Sequence, residues 1–424
     1  MKASELKIKI ANGALDKYTE LYADTEVQRE RYFSALDGFI SLYGDLDAVL
    51  LSVPGRSEIT GNHTDHNQGC VLAGAIDRDI IAVASSCDDG MISFFSEGYP
   101  LDTVALADTK DTANFKRYTS ASLIAGMVNG FENKGYNVGG MKVYSTSAVL
   151  KGSGISSSAA YEVMIGNALN YLYNGGNVDN EEIAKLAQYA ENVYFGKPCG
   201  LMDQMACAVG GFVYIDFADK LNPEVVPIEF SLTKEGYALC IVNTGGNHAD
   251  LNEDYASVPA EMKAVARELG REVLSGVTEA ELIENIHAIR EKLGDRAVLR
   301  ALHFIRENKR VRRARAALTE GSLDGFFAAV KESGNSSFKY LQNVYTVKNV
   351  EEQGLSLALA LAEEYLAGEG ASRVHGGGFA GTIQVFVKKE RLDGLVKLMD
   401  SVFGSGAAQA FSVRPLGAIK LEFN

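Results

Sequence analysis

Apolar positions in the first stretch of about 45 residues recur at helical spacing, with Leu15, Tyr18, Leu21 and Tyr22 on one face, and predict a helical lead-in. From Ala48 to about Phe95 the pattern changes to short β-rich runs, DAVLLSV and DIIAVASS among them, separated by Gly, Asn and Asp. A helical stretch follows near Leu123–Phe131, and then a strand over Lys142–Val149 with Val143, Ser145 and Ser147 on alternating positions. After a Gly/Ser run, Ala160, Val163, Met164, Ala168 and Leu172 repeat at three- and four-residue steps, which predicts a helix. Beyond Gly210, GGFVYIDF and YALCIVNT read as strands, and Glu261–Leu269 and Ala297–Leu318 as helices. A helix over Leu355–Leu366 stops at Gly368 and Gly370, and a Gly-rich loop, the strand TIQVFVK and a last helix over Leu392–Val402 follow. The alternation predicts two α/β halves, 1–210 and 211–424, with the boundary within about 205–220.

Composition narrows the function classes. The chain has 424 residues, 46% hydrophobic and 23% charged, the balance of a globular protein with a sizeable core. Its 41 basic and 55 acidic residues leave a net charge of −14, which repels phosphate backbones and anionic lipid, so we expect no nucleic-acid or membrane partner. No apolar run approaches the roughly 18 residues that cross a bilayer. MKASELKIKI lacks the apolar stretch of a signal peptide, and the five cysteines are scattered without a CxxC pair, so a cytoplasmic protein with reduced thiols is expected. The basic run Lys309, Arg310, Arg312, Arg313 and Arg315 is read as a solvated helix face.

Four segments carry candidate chemistry. KGSGISSSAAYE lies between a predicted strand and a predicted helix, where glycine amides, serine hydroxyls and a helix N-terminus suit a phosphate. It is neither a Walker A loop nor a dinucleotide fingerprint, since Ser157 stands where GxGxxG needs its third glycine. An ordinary capped helix after a glycine turn fits the same residues. PGRSEITGNHTDHNQG packs Arg56, Glu58, Asn62, His63, Asp65, His66 and Asn67 into twelve positions after an apolar strand. A polyol site, a metal site and a polar loop with Asx turns all fit that cluster. In FGKPCGLMDQMACAVGG, Asp203 stands among Leu201, Met202, Met205 and Ala206, as a general base or as a helix N-cap. Glu191, twelve residues earlier, is a candidate Mg²⁺ ligand. Finally, RVHGGGFAGTIQVFV places four glycines in six positions before a strand, more than a tight connection needs.

Taken in order, these segments resemble the GHMP small-molecule kinases and, within them, the galactokinases. GRSEITGNHTDHNQGCVLAGAI is similar to the galactokinase signature, KGSGISSSAA to the ATP-binding motif, VHGGGFAG to the third motif, and CGLMDQ to the catalytic-aspartate stretch. RENKRVRRARAAL resembles a later galactokinase helix, and the likeness spans about Ala48 to Lys388. The resemblance implies a two-lobed α/β (α+β) fold with the active site between the lobes, and a monomer whose partners are a sugar and ATP. It implies Asp203 as the base on the anomeric hydroxyl of D-galactose and Arg56 as its electrostatic partner. Gly152, Ser153, Gly154, Ser156, Ser157 and Ser158 would bind ATP, Ser158 and Glu191 would hold Mg²⁺, and Asn62, His63, Asp65, Gly200 and Tyr255 would bind the sugar.

The chain also departs from that family's pattern. The signature usually has Glu where this chain has Asn62, Tyr where it has His66 and Pro where it has Ala73, and Arg56-Ser57-Glu58-Ile59-Thr60 replaces Arg-Val-Asn-Leu-Ile. The family glutamate is expected at the sugar's C6 hydroxyl. An amide there removes a negative charge, which suits a C6-altered sugar such as galacturonate, or keeps the hydrogen bond through its own acceptor oxygen. A sugar- and ATP-sensing protein without turnover is the alternative from another class. Retention of Arg56, Asp203 and Glu191 argues against it.

Overall fold

The computed structural model describes residues 1–22, 25–149, 154–246 and 251–423. The strands are β1 (Val49–Thr60), β2 (Cys70–Cys87), β3 (Met91–Ser96), β4 (Asp102–Ala105), β5 (Gly140–Ser147), β6 (Phe212–Asp216), β7 (Glu224–Ile228), β8 (Tyr237–Asn243), β9 (Ala371–His375), β10 (Thr382–Lys388), β11 (Ala408–Phe411) and β12 (Ile419–Leu421). The helices are α1 (Ala3–Ala11), α2 (Thr25–Tyr43), α3 (Ser120–Asn133), α4 (Ser157–Tyr173), α5 (Asn180–Tyr189), α6 (Met202–Val209), α7 (Asn252–Glu268), α8 (Glu279–Glu284), α9 (Ile286–Leu293), α10 (Asp295–Thr319), α11 (Leu323–Ser336), α12 (Gly354–Leu366) and α13 (Lys389–Phe403). The mixed α/β architecture agrees with the expectation from the sequence.

Eight strands form the first sheet, in the order β12-β1-β2-β5-β3-β4, with β6 paired to β2 and β7 to β6. The pairs are antiparallel apart from β3 with β5. Helices cover both faces of this sheet, which is why β1 and β2 read as continuous apolar runs. Leu50, Ile81 and Val83 face α1 and α2, whereas the alternate residues Leu51, Val53, Ala82 and Ala84 join the core beneath α3 and α4. The second sheet, β11-β8-β10-β9, is antiparallel throughout and packs against α12 and α13. No helix among the described residues is long and apolar enough to cross a membrane.

Two expectations need correction, and a third holds in part. A cut at residue 210 runs through the first sheet, because β6, β7 and β12 all join it by hydrogen bonding across the chain. Leu15, Leu21 and Tyr22 are buried, but Leu15 and Tyr18 sit at a short 3₁₀ turn between α1 and α2 and not on one long helix. The basic run on α10 is an exposed face at Lys309, Arg312 and Arg313, as expected, but not at Arg310. Arg310 is buried against Glu307 at 2.7 Å, Arg312 pairs with Asp216 at 3.2 Å, and Arg315 reaches Glu224 at 3.3 Å while stacking over Tyr214.

Asp79 at the bend of β2 ties the two ends of the chain together. Its buried carboxylate accepts from Tyr22 Oη and Ser52 Oγ at 2.5 Å each, from Arg31 Nη1 at 2.9 Å and from Arg414 Nη1 at 3.3 Å. Burial works to raise its pKa, but Arg31 and Arg414 outweigh that and hold it below the usual carboxylate value. A carboxyl depressed in the folded state stabilises above its unfolded pKa of about 3.9, and the contribution disappears as pH falls through the folded value. Asp79→Ala leaves Arg414 buried without its charge partner, so a loss of about 3–5 kcal/mol is expected in urea unfolding. An unchanged midpoint would remove Asp79 from this role.

Candidate active site

β1 leads from the first sheet toward the second. At its far end Ile59 O accepts from Arg373 Nη1 at 2.9 Å and from Gln384 Nε2 at 3.0 Å, both from the second sheet. Arg56 therefore lies where the two sheets meet. Its guanidinium makes a forked contact with Asp203, Nε to Oδ1 and Nη2 to Oδ2, both at 2.7 Å, while Nη1 donates to Gly154 O at 2.6 Å. Ser156 Oγ donates to the same Asp203 carboxylate. Gly55 allows this approach, because a Cβ there would stand 2.7 Å from Ile155 O.

Both local alternatives for these residues fail. Asp203 is the second residue of α6, after the cap position Leu201, and its carboxylate bonds Arg56 instead of capping. Ser156 precedes α4 with φ of 57° and makes no cap hydrogen bond. The Arg56 side chain is 9% exposed and that of Asp203 33%, so a small molecule can reach the carboxylate. Burial tends to raise the Asp203 pKa, but Arg56 and Ser156 more than compensate and hold it below the ordinary aspartate value.

Asp65 meets the chain at Gly200, three residues before Asp203. A Cβ at position 200 would lie 2.2 Å from Asp65 Oδ2, so only glycine permits the contact. His63, Asn62 and Tyr255 instead grip the glycine loop after β9. His63 Nε2 donates to Gly377 O at 3.0 Å, Asn62 Nδ2 to Gly376 O at 2.7 Å, and Tyr255 Oη to Gly378 O at 2.7 Å. Burial pushes the His63 pKa down to about 4, so the ring is neutral near pH 7 and keeps Nδ1 as an acceptor. Ser157 and Ser158 occupy the half-buried first turn of α4, while Gly152 and Ser153 lie outside the described residues.

Glu191 is buried in a π-helical turn, Ala190–Phe195, that follows α5. Gln204 Nε2 bridges Glu191 Oε2 at 2.8 Å and Glu162 Oε2 at 3.1 Å, and Lys197 Nζ pairs with Glu191 Oε1 at 3.1 Å. Glu162 lies one turn along α4 from Ser158, on the same helix face. Its Oε1 and the Gln204 Oε1 are buried without a hydrogen-bond partner. Burial, and then the Glu191 charge, push the Glu162 pKa well above the usual value. Among the described residues no three acids, histidines or cysteines could hold a metal by themselves. A Mg²⁺ shared with nucleotide phosphates needs only one or two carboxylates, and these orphan oxygens fit that smaller demand.

Comparison with known proteins decides the family. Residues 37–86 match the galactokinase galactose-binding signature, and residues 122–211 match the GHMP kinases N terminal domain. The chain is 32% identical over 377 residues to a galactokinase of Streptomyces coelicolor, covering 88% of this chain and 93% of that one. The chain belongs to the galactokinase family. A galactokinase of Clostridium tetani is 29% identical, covering 84% of this chain and 88% of that one. Lactococcus lactis galactokinase, solved with galactose, has the same fold, with a TM-score of 0.77 over 91% of this chain and 99% of that one at 24% identity.

Sequence reasoning overlooked several residues that touch these candidates or the loop they hold. Glu162 was within reach, as the acid four residues after Ser158. Asn343, which donates from Nδ2 to Gly377 O at 3.0 Å, stands in no motif. Arg373, which pairs with Glu58 at 3.2 Å across the two sheets, opens the segment RVHGGGFAGTIQVFV, whose glycines alone drew notice. We expect Arg56→Gln to raise the Asp203 pKa toward or above about 3.9, read by carboxyl ¹³C NMR titration. A titration identical to that of the wild type would mean Arg56 does not set the charge of this carboxylate.

Proposed function

We propose that the chain transfers the γ-phosphoryl group of ATP to the anomeric hydroxyl of D-galactose, giving α-D-galactose 1-phosphate. The observation that carries this is the Asp203 carboxylate, clamped by Arg56 and Ser156 yet one-third exposed, three residues after the glycine that Asp65 approaches. Membership of the galactokinase family and the match to its galactose-binding signature support the same reading. No feature of the site favours galacturonate or a silent sensor over it.

Asp203 accepts the proton of the sugar hydroxyl. A carboxylate with a depressed pKa is a weak base, which suffices when phosphoryl transfer runs through a loose transition state and the proton leaves late. Arg56, shared between Asp203 and the Gly154 carbonyl, places fixed positive charge where negative charge gathers on the transferring group. Gly152, Ser153, Gly154, Ser156, Ser157 and Ser158 receive the phosphates at the N-terminus of the 17-residue helix α4, whose dipole favours anions. Asp65, the backbone of Gly200, and the free face of His63 orient the sugar hydroxyls. Tyr255 acts through the loop it grips. Glu191 and Ser158, with Glu162 behind them, would hold Mg²⁺, which when bound neutralises phosphate charge. Under this reading the partners are sugar and nucleotide, met by a monomer in the cytoplasm.

Asp203→Asn is expected to lower kcat by about 10²–10⁴-fold while galactose and ATP still bind by calorimetry. The product is identified by phosphorus NMR. Near-normal turnover in that variant would take the base role away from Asp203, and no sugar phosphate from wild-type protein would overturn the assignment. Glu191→Gln should weaken Mg²⁺ binding in the presence of ATP by about 10–100-fold, followed with Mn²⁺ as an EPR probe. Unchanged Mn²⁺ affinity would remove Glu191 from the metal site.

A further inference from the structure

One of the positions at which the sequence departs from the family signature lies inside the molecule. Asn62 has no exposed surface. A side-chain amide offers two N–H donors and two acceptor positions, and all of these are in use. Nδ2 donates to Glu58 Oε1 at 2.9 Å and to Gly376 O at 2.7 Å. Oδ1 accepts from Asn343 Nδ2 at 2.7 Å and from Ser337 Oγ at 3.3 Å. The partners fix the amide's orientation, since a carboxylate and a backbone carbonyl can only accept. Nothing remains for a sugar hydroxyl.

These bonds act on the glycine loop instead. The carbonyls of Gly376, Gly377 and Gly378 are held in succession by Asn62, by His63 together with Asn343, and by Tyr255. A run of glycines has no side chains to pack, so its carbonyls are the handles by which neighbours can fix it. Asn62 holds one of these directly and steadies a second through Asn343. It also joins the loop to Glu58, whose carboxylate Arg373 Nη2 reaches at 3.2 Å from β9.

We propose that Asn62 is a positioning residue that anchors the Gly376–Gly378 loop through its fully occupied amide, and that it does not read the C6 substituent of the sugar. The proposal rests on the galactose-kinase reading only for the choice of substrate. Asn62→Asp keeps the shape but replaces both donors with acceptors, which then face Glu58 and the Gly376 carbonyl. Glu58→Gln in the same chain returns one donor to the pair.

The test is hydrogen exchange by mass spectrometry across residues 371–381, together with kinetics on D-galactose and 6-deoxy-D-galactose. In Asn62→Asp we expect loop amides to exchange about tenfold faster or more, because local opening no longer breaks these bonds. At saturating sugar, kcat should fall about 10²-fold, while the galactose to 6-deoxygalactose ratio of kcat/KM stays within about twofold of wild type. Adding Glu58→Gln should recover about tenfold of the lost kcat. A ratio altered by about tenfold or more would make Asn62 a reader of C6 and overturn the proposal, as would unchanged loop exchange. If Asn62→Asp does not fold, Asn343→Ala removes the facing donor and must speed loop exchange at an unchanged sugar ratio. Failure there overturns the proposal equally. The exchange measurement needs no turnover, so wild-type protein inactive on galactose would defeat the functional assignment and leave the anchoring role to be judged separately.

Discussion

The forked contact between Arg56 and Asp203 is the constraint on which the site depends. It joins the end of a central strand to the first turn of a short helix, and its third nitrogen takes the carbonyl of Gly154 from the loop before α4. Removing Asp203 would leave the Arg56 guanidinium, only 9% exposed, without its countercharge. One guanidinium thus sets the register of three segments that are distant in the chain. The same bonds hold the carboxylate below the ordinary aspartate pKa, so the contact that fixes the geometry also keeps the group ionised.

Around that pair the molecule uses backbone carbonyls where side chains are absent. The glycine loop after β9 comes close to the site because it has no Cβ atoms, and it stays there because Asn62, His63, Asn343 and Tyr255 hold its carbonyls. His303 completes the support from α10, its Nε2 donating to Asn62 O at 3.0 Å. Burial pushes its pKa down to about 4, so this bond does not titrate near neutral pH. The two sheets are therefore joined by hydrogen bonds with defined direction, which specify one arrangement of the lobes in a way that apolar contact alone does not.

Much of this was legible in the chain. The helices over α4, α10, α12 and α13 and the strands β1, β2, β5, β8 and β10 follow from apolar periodicity, because one face or both of each element is covered. The segments containing Arg56, Gly154 and Asp203 were distinguishable as concentrations of polar or glycine residues that ordinary turns do not require. The short strands β7 and β12 were not assigned, since five and three residues leave little periodicity. The basic run on α10 is solvated as read, apart from the buried Arg310, but it is also paired. Its partners, Asp216, Glu224, Glu279 and Glu332, sit on other elements, and a one-dimensional pattern does not show them.

Asn62 marks the limit of the linear reading most clearly. Its place in the signature suggested a sugar ligand, because motif position is all that a sequence displays. The four groups that saturate its amide come from β1, the turn after α11, the segment just beyond that turn and the loop after β9. The sequence by itself determined the family, the order of the elements and the residue types that phosphoryl transfer needs, since these reside in composition and spacing along the chain. Only the tertiary structure decided which of those residues keep free hydrogen-bonding capacity and which are spent on holding others. That capacity depends on neighbours more than 250 residues away, as with Asn62 and Asn343, and no local pattern encodes it.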